Sequence, residues 1–474
     1  MAPPTLADVI FPEQANHNFS RILGDLKRSN LSVSNRLRSI CRDAAFVDDV
    51  ATALGRLPLV ANERCGSWYI NPARKAASAY FKSTDGHTGQ WKFSTRRLNL
   101  HLLALIGDAG MPDALSKTVP IWCAVLNRTL FPSPAGTTAA AASHHHALVT
   151  PPNVVSASEA SQIAALLPQF AASFAALAID PAPLRRQLRD RPLRPFWITP
   201  EDDDDDDLAL AAAGVARVAR ELDCLPVVCC TASRRVAGPG AEIGEGGGYV
   251  QGAADDTENW ALGLTPDVFW RHRDVLLAAQ ESELPALIAE LVAGEKEERA
   301  RAAGEGGAGW EVKRVAAPGV FVGTLAGRGK VLAEGGACVV ALVSGATERS
   351  EWVKGPAHLE VGLGKHKAAS RQLRDALPLI CEFVLRYLRR PQSGENRVVV
   401  LCESGRDLSV GVALAIYCWC FDDAGNVRSD SDRVAFNKTS IRVRLGHIVT
   451  ALPEANPSRA TLQSVNSFLM DWRK

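Results

Sequence analysis

Residues 397–420 read RVVVLCESGRDLSVGVALAIYCWC. Arg397–Leu401 is a short apolar run, rich in valine, with the length and β-branched content of a buried strand. Cys402–Asp407 is a polar turn containing a glycine, and Leu408–Cys420 is an apolar helix. A strand that feeds a helix through a tight loop is the unit of an α/β fold. Working outward, Cys338–Val343 and the shorter Val331–Leu332 read as further strands. Leu373–Arg390 reads as an amphipathic helix, with Leu373, Leu377, Ile380, Val384 and Leu388 spaced by three and four. Together these predict a C-terminal α/β domain over residues 315–474.

The loop in that stretch has its own chemistry. Amides at the start of a helix face the preceding loop, so an anion can be held there by N–H groups and the helix dipole. Cysteine, a glycine turn and a helix give the look of a phosphatase cradle. Such a phosphatase uses an arginine six residues after the cysteine to clamp the phosphoryl group for thiolate attack. Leu408 stands there, and the nearest arginine is Arg406. Cys402, Ser404, Gly405, Arg406 and Asp407 are therefore expected to bind phosphate without cleaving it, the alternatives being a phosphatase that uses the Cys402 loop and a sharp turn with Cys402 merely buried.

Upstream, residues 1–309 are expected to form a large N-terminal α/β or α+β catalytic region. Residues 16–53 and 159–178 read as helices, and Leu225–Thr231 as a buried strand followed by a glycine-rich loop, 238–248. The 281–303 stretch reads as a charged helix, ending at the glycines of 304–309. Residues 132–152, with a His144–His146 run, and the acidic run 201–207 read as flexible insertions. The chain has 474 residues, 47% apolar and 22% charged, with a net charge of +1, an ordinary globular balance. Nothing resembles a transmembrane run or a signal peptide. Eleven cysteines without a CxxC pair suit a reducing compartment.

Residues 79–103, AYFKSTDGHTGQWKFSTRRLNLHLL, are the most informative block. From 62 to 101 there are seven Lys and Arg against two Asp and Glu, in a chain whose net charge is only +1. Local excess of this kind suits a polyanion. Lys82, Ser83, Thr84, Gln90, Arg96 and Arg97 can donate to phosphate oxygens, while Asp85, His87 and Lys92 can move protons or stabilise charge. A second block, 249–270, carries Asp255, Asp256 and Glu258. These acids read equally as a Mg²⁺ site, a proton acceptor, or acids favoured at a helix N-terminus.

These blocks, with MPDALSKTVPIWCAVLNR and NPSRATLQSVNSFLM, resemble the initiator tRNA 2′-O-ribosyl phosphate transferase family in order from near residue 60 to the C-terminus. The resemblance implies a cytoplasmic pentosyltransferase. It would move phosphoribose from phosphoribosyl pyrophosphate to the 2′-hydroxyl of adenosine 64 of initiator methionine tRNA, reserving that tRNA for initiation. It also implies a C-terminal domain like dual-specificity phosphatases. Lys82, Lys92, Arg96 and Arg97 are then expected to stabilise the leaving pyrophosphate, with Mg²⁺ at Asp255 and Asp256. The proton acceptor is first Asp85 or His87, then Asp255 or Asp256. Lys365, Lys367, Arg406, Arg442, Arg444 and Arg459 are expected to grip the tRNA backbone. The sequence departs from the family at 107–111, GDAGM, where relatives carry a longer polar stretch, and at Thr257, where a histidine is expected.

Overall fold

The computed structural model describes residues 31–106, 110–112, 116–132, 145–200, 205–236, 241–244, 247–304, 312–316, 319–364, 366–390, 396–429 and 435–471. They form two compact units that interleave along the chain. Unit 1 takes the described parts of 1–79, 106–115 and 194–296, and unit 2 those of 80–105, 116–193 and 297–474.

Unit 1 is built on strands β1 (Leu59–Asn62), β2 (Lys75–Ala79), β3 (Gly110–Pro112), β4 (Leu193–Ile198) and β5 (Leu225–Cys230), in the order β2-β1-β3-β5-β4. β1 runs parallel to β2 and β3, and β3 parallel to β5. Parallel strands are covered on both faces; all four residues of β1 and the last four of β5 are buried. Helix α1 (Val33–Ala53) starts at Ser32, whose hydroxyl accepts the Asn35 N–H. It buries Leu37, Ile40, Phe46 and Val47 in one cluster with Leu59, Ala61 and Val228. Where the sequence suggested a loop over 238–248, β6 (Ala241–Gly244) and β7 (Gly247–Val250) pair as an antiparallel hairpin. The glycines are tolerated because Tyr249 and Val250 anchor the second strand in the core.

Unit 2 carries a six-stranded sheet of β8 (Lys313–Ala316), β9 (Val320–Thr324), β10 (Ala337–Val343), β11 (Val353–Gly355), β12 (His358–Gly362) and β13 (Arg397–Cys402), ordered β11-β12-β10-β13-β9-β8. The four central strands are parallel and the two edges antiparallel. Helices α2 (Thr118–Leu130) and α3 (Ala157–Ala175) precede the sheet in sequence. α4 (His366–Leu388), α5 (Leu408–Cys420), α6 (Lys438–Ala451) and α7 (Arg459–Asp471) complete the unit. α5 is almost wholly buried, as its apolar sequence requires. A Cβ at Gly411 would come within 2.4 Å of the Thr461 methyl, so glycine lets α7 lie close against α5. Val331–Leu332 is not a strand: both residues lie in the short helix Arg328–Glu334, ended by Gly335 with φ +68°. All eleven cysteines are free thiols. Among the described residues no helix is long and apolar enough to cross a membrane.

Candidate phosphate-binding cleft

The basic block of residues 80–105 folds as a turn held from behind. Ser83–Gly86 makes one 3₁₀ turn, and the Lys92 N–H closes the loop onto the Asp85 carbonyl at 2.9 Å. A Cβ at Gly86 would meet Thr118 Oγ1 at 3.0 Å, so the turn sits directly on the start of α2. The Lys117 ammonium donates to Glu159 at 2.6 Å. Glu159 also accepts from Thr88 Oγ1 and Trp91 Nε1, both at 3.1 Å, and these bonds hold its carboxyl below the usual range. Lys117 and Glu159 thus clamp the loop to α3, a role that no local signal revealed. The aromatic residues of the block serve packing: Phe81 meets Trp122 edge-on at 5.5 Å, and Phe93 meets Phe174 at 5.9 Å.

In front of this turn lies a cleft of about 760 Å³, formed wholly within unit 2. One wall carries Asp85, Lys92 and Arg96; the facing helices α6 and α7 carry Lys438, Arg442 and Arg459. Five cations thus meet one carboxylate, and among the described residues none of the five forms an ion pair within 4 Å. Burial pushes the Asp85 carboxyl above its ordinary range, against the pull of Lys82, Lys92, Arg96 and Arg97. Burial also lowers the Lys82 ammonium, and neighbouring Arg97 and Arg96 lower it further. Like charges crowded around a half-buried site are relieved when an anion binds.

The structure sorts the expected ligands. Asp85, Lys92, Arg96, Arg442 and Arg459 come together at the cleft, joined by Lys438, which the sequence did not single out. Thr84, His87 and Gln90 are exposed on the turn, Ser83 is half-buried, and none of these four lines the cleft. Arg97 is half-buried over the Tyr80 ring at 5.9 Å and donates to the side-chain carbonyl of Asn456. Arg444 is corrected: only 5% exposed, it donates to the carbonyls of Tyr417 and Phe421 and to Asp423, so it is part of the core rather than a tRNA contact. Lys365 lies outside the described residues, as does the Lys367 side chain.

The phosphatase-like loop is braced by bonds to its own protein. The Cys402 thiol is buried and donates to Ser409 Oγ at 3.0 Å. The Arg406 N–H donates to Ser404 Oγ at 3.2 Å, and the Arg406 carbonyl accepts the Asn456 N–H at 2.8 Å. Gly405, at φ +65°, stands where a Cβ would be 3.2 Å from the Gly323 backbone. Asp407 accepts from the Ser458 N–H at 2.8 Å and the Thr461 hydroxyl at 2.7 Å, which makes it the anchor of α7 rather than a phosphate ligand. Cys402→Ser is therefore expected to leave the protein's activity within about twofold of wild type. Complete loss in a folded variant would reinstate thiolate chemistry.

The acidic block belongs to unit 1. Asp255 lies 3.9 Å from the Arg64 guanidinium, and exposed Asp256 adopts left-handed backbone, φ +49°, before the short helix Thr257–Trp260. Two adjacent carboxylates are a fit set for Mg²⁺, which commonly takes one or two from the protein and the rest from phosphates and water. Sequence reasoning missed the polar core beneath this block. Asp43, 3% exposed, accepts from Ser233 at 2.6 Å and Tyr249 at 2.7 Å, and burial pushes its carboxyl up to about 7.

A family model described as the Rit1 N-terminal domain matches residues 26–293, and one described as the Rit1 DUSP-like domain matches residues 357–469. The chain is 32% identical, over 97% of its length and 96% of the other, to the tRNA A64-2′-O-ribosylphosphate transferase of Saccharomyces cerevisiae. It is 33% identical, over 92% and 94%, to an uncharacterized protein of Schizosaccharomyces pombe. Among solved structures, human DUSP28 matches 34% of this chain and 95% of its own at 18% identity and a TM-score of 0.25. The Yvh1 phosphatase domain of Chaetomium thermophilum matches 33% and 95% at 20% identity and a TM-score of 0.25.

Proposed function

The chain belongs to the Rit1 family, and on that premise we propose that it transfers 5-phosphoribose from phosphoribosyl pyrophosphate to the ribose 2′-hydroxyl of adenosine 64 of initiator methionine tRNA. Similarity over 97% of the chain to the A64 transferase carries this reading; the cleft of unit 2 supplies groups that the chemistry needs. The 2′-oxygen attacks the anomeric carbon, the bond to pyrophosphate breaks, and pyrophosphate leaves with the electron pair. The hydroxyl proton passes to a carboxylate. Asp85 suits this better than His87, because it lines the cleft and its raised pKa moves toward the operating pH. Lys92 and Arg96, with Lys82 and Arg97 in electrostatic reach of Asp85, offset the charge that grows on the leaving group. Asp255 and Asp256 of unit 1 would hold Mg²⁺, an ion that supplies positive charge to phosphate oxygens when bound. Eleven free thiols suit work in the cytoplasm.

The test is incubation of the purified protein with donor labelled in its ribose phosphate, Mg²⁺, and either initiator or elongator methionine tRNA. Label should appear on initiator tRNA alone, at nucleotide 64. Label on neither tRNA with folded protein would overturn the reading, and label on both would remove the selectivity.

A further inference from the structure

We infer that helices α6 and α7 of the phosphatase-like domain form a docking wall for the phosphodiester backbone of double-stranded RNA, so that the cleft of unit 2 is the acceptor side of the reaction. This rests on the tRNA reading above. The domain contributes through these helices, because Lys438, Arg442 and Arg459 line the cleft and no residue of its phosphatase-like loop, 402–407, does.

The wall is constructed rather than accidental. Asn437 and Ser440 form a capping box that fixes the first turn of α6. From that start Lys438 and Arg442 fall one turn apart, and both face the cleft. On α7, the Ser458 and Thr461 bonds to Asp407 fix the first turn, which carries Arg459. Gln463 and Asn466 follow on the same cleft-facing side, and Gln169 of α3 faces the cleft as well. Each helix is about 20 Å long at 1.5 Å per residue. Cations spread over two helices of this length match a repeating anion better than a single pyrophosphate, which is usually gathered by one glycine-rich loop or one helix start. Amides beside the cations can meet 2′-hydroxyls and phosphates, the groups through which A-form RNA is recognised. Asp85 in the opposite wall then lies where an RNA hydroxyl would arrive.

The experiment compares wild type with the triple variant Lys438→Ala, Arg442→Ala, Arg459→Ala. These three side chains are exposed, so thermal melting should match wild type. Filter binding with unmodified tRNA across a salt series should show affinity lower by at least about tenfold. The slope of log affinity against log salt should be smaller by about three, one unit per lost phosphate contact. Calorimetric binding of inorganic pyrophosphate with Mg²⁺ should weaken far less than tRNA binding, because Lys92 and Arg96 remain in the cleft. The charge-retaining variant Arg442→Lys, Arg459→Lys should keep most of the slope. Unchanged tRNA affinity and slope would overturn the inference, as would loss of pyrophosphate binding with the tRNA slope intact. Failure of the underlying reading shows separately, as wild-type protein that places no label on tRNA.

Discussion

Alanine at both Lys92 and Arg96 is expected to cut kcat/KM for ribosyl-phosphate transfer by about 10³-fold or more, because each is a fixed positive charge where the leaving pyrophosphate develops its own. Removing one such donor commonly costs about 10²–10³ in rate, and two acting on one leaving group need not multiply. Stability should barely move. Both side chains are exposed, neither is ion-paired within 4 Å among the described residues, and Arg96 already presses against the Lys82 charge. Deleting them relieves the repulsion of Arg96 and Lys82 but forfeits the solvent-screened attraction of both for Asp85, so the melting temperature should stay within a degree or so of wild type, on the order expected for exposed charges. Single-turnover assays with labelled donor, run beside thermal melts, separate the two effects. Near-normal turnover in the double variant would strip both residues of the anion role, and a fall in melting temperature of several degrees would recast them as structural.

How far the sequence could reach follows from distance along the chain. Strand β13, its loop and helix α5 are legible almost to the residue, because valines and alanines saturate both faces and Cys402–Asp407 punctuates them. Val331–Leu332 misled because one β-branched valine beside a helix-favouring leucine does not make a strand; the Gly335–Gly336 pair that ends that helix, both at positive φ, was the usable signal. Arg444 sits beside Leu445 and in register with Ile441 and Ile448, a buried face, but no pattern shows that the carbonyls of Tyr417 and Phe421 await it. The cleft is the hardest case. Its walls come from residues 85–96, 169–173 and 438–470, the first and last more than 340 positions apart, and a lysine at a helix start such as Lys438 looks like any solvated charge. The basic character of residues 80–97 was therefore readable, whereas the partner helices that turn it into a site were not.

Asp85→Asn is the variant that tells a proton acceptor from a mere neighbour of phosphates. If Asp85 takes the 2′-hydroxyl proton, transfer should fall by about 10²–10⁴-fold. Binding should not fall with it. Among the described residues the carboxylate is the only negative group lining the cleft, so neutralising it should leave tRNA affinity equal or several-fold tighter, most clearly at low salt. The pH dependence sharpens the case. Burial raises the folded carboxyl above its unfolded value, so between those two values the native state holds more protons than the unfolded state, and stability declines as pH rises through that window. At neutral pH the ionised Asp85 is therefore a cost to the fold, and the Asp85→Asn variant should melt no lower than wild type. Activity runs opposite in sign: a base must be ionised, so wild-type kcat/KM should climb as pH rises through the raised Asp85 value, giving an acid limb above the ordinary aspartate range. That limb should vanish from the residual activity of Asp85→Asn and survive in His87→Ala, whose ring is exposed outside the cleft. Normal turnover in Asp85→Asn, or an acid limb that persists in it, would pass the proton to another group and leave Asp85 as a charge that tunes phosphate affinity.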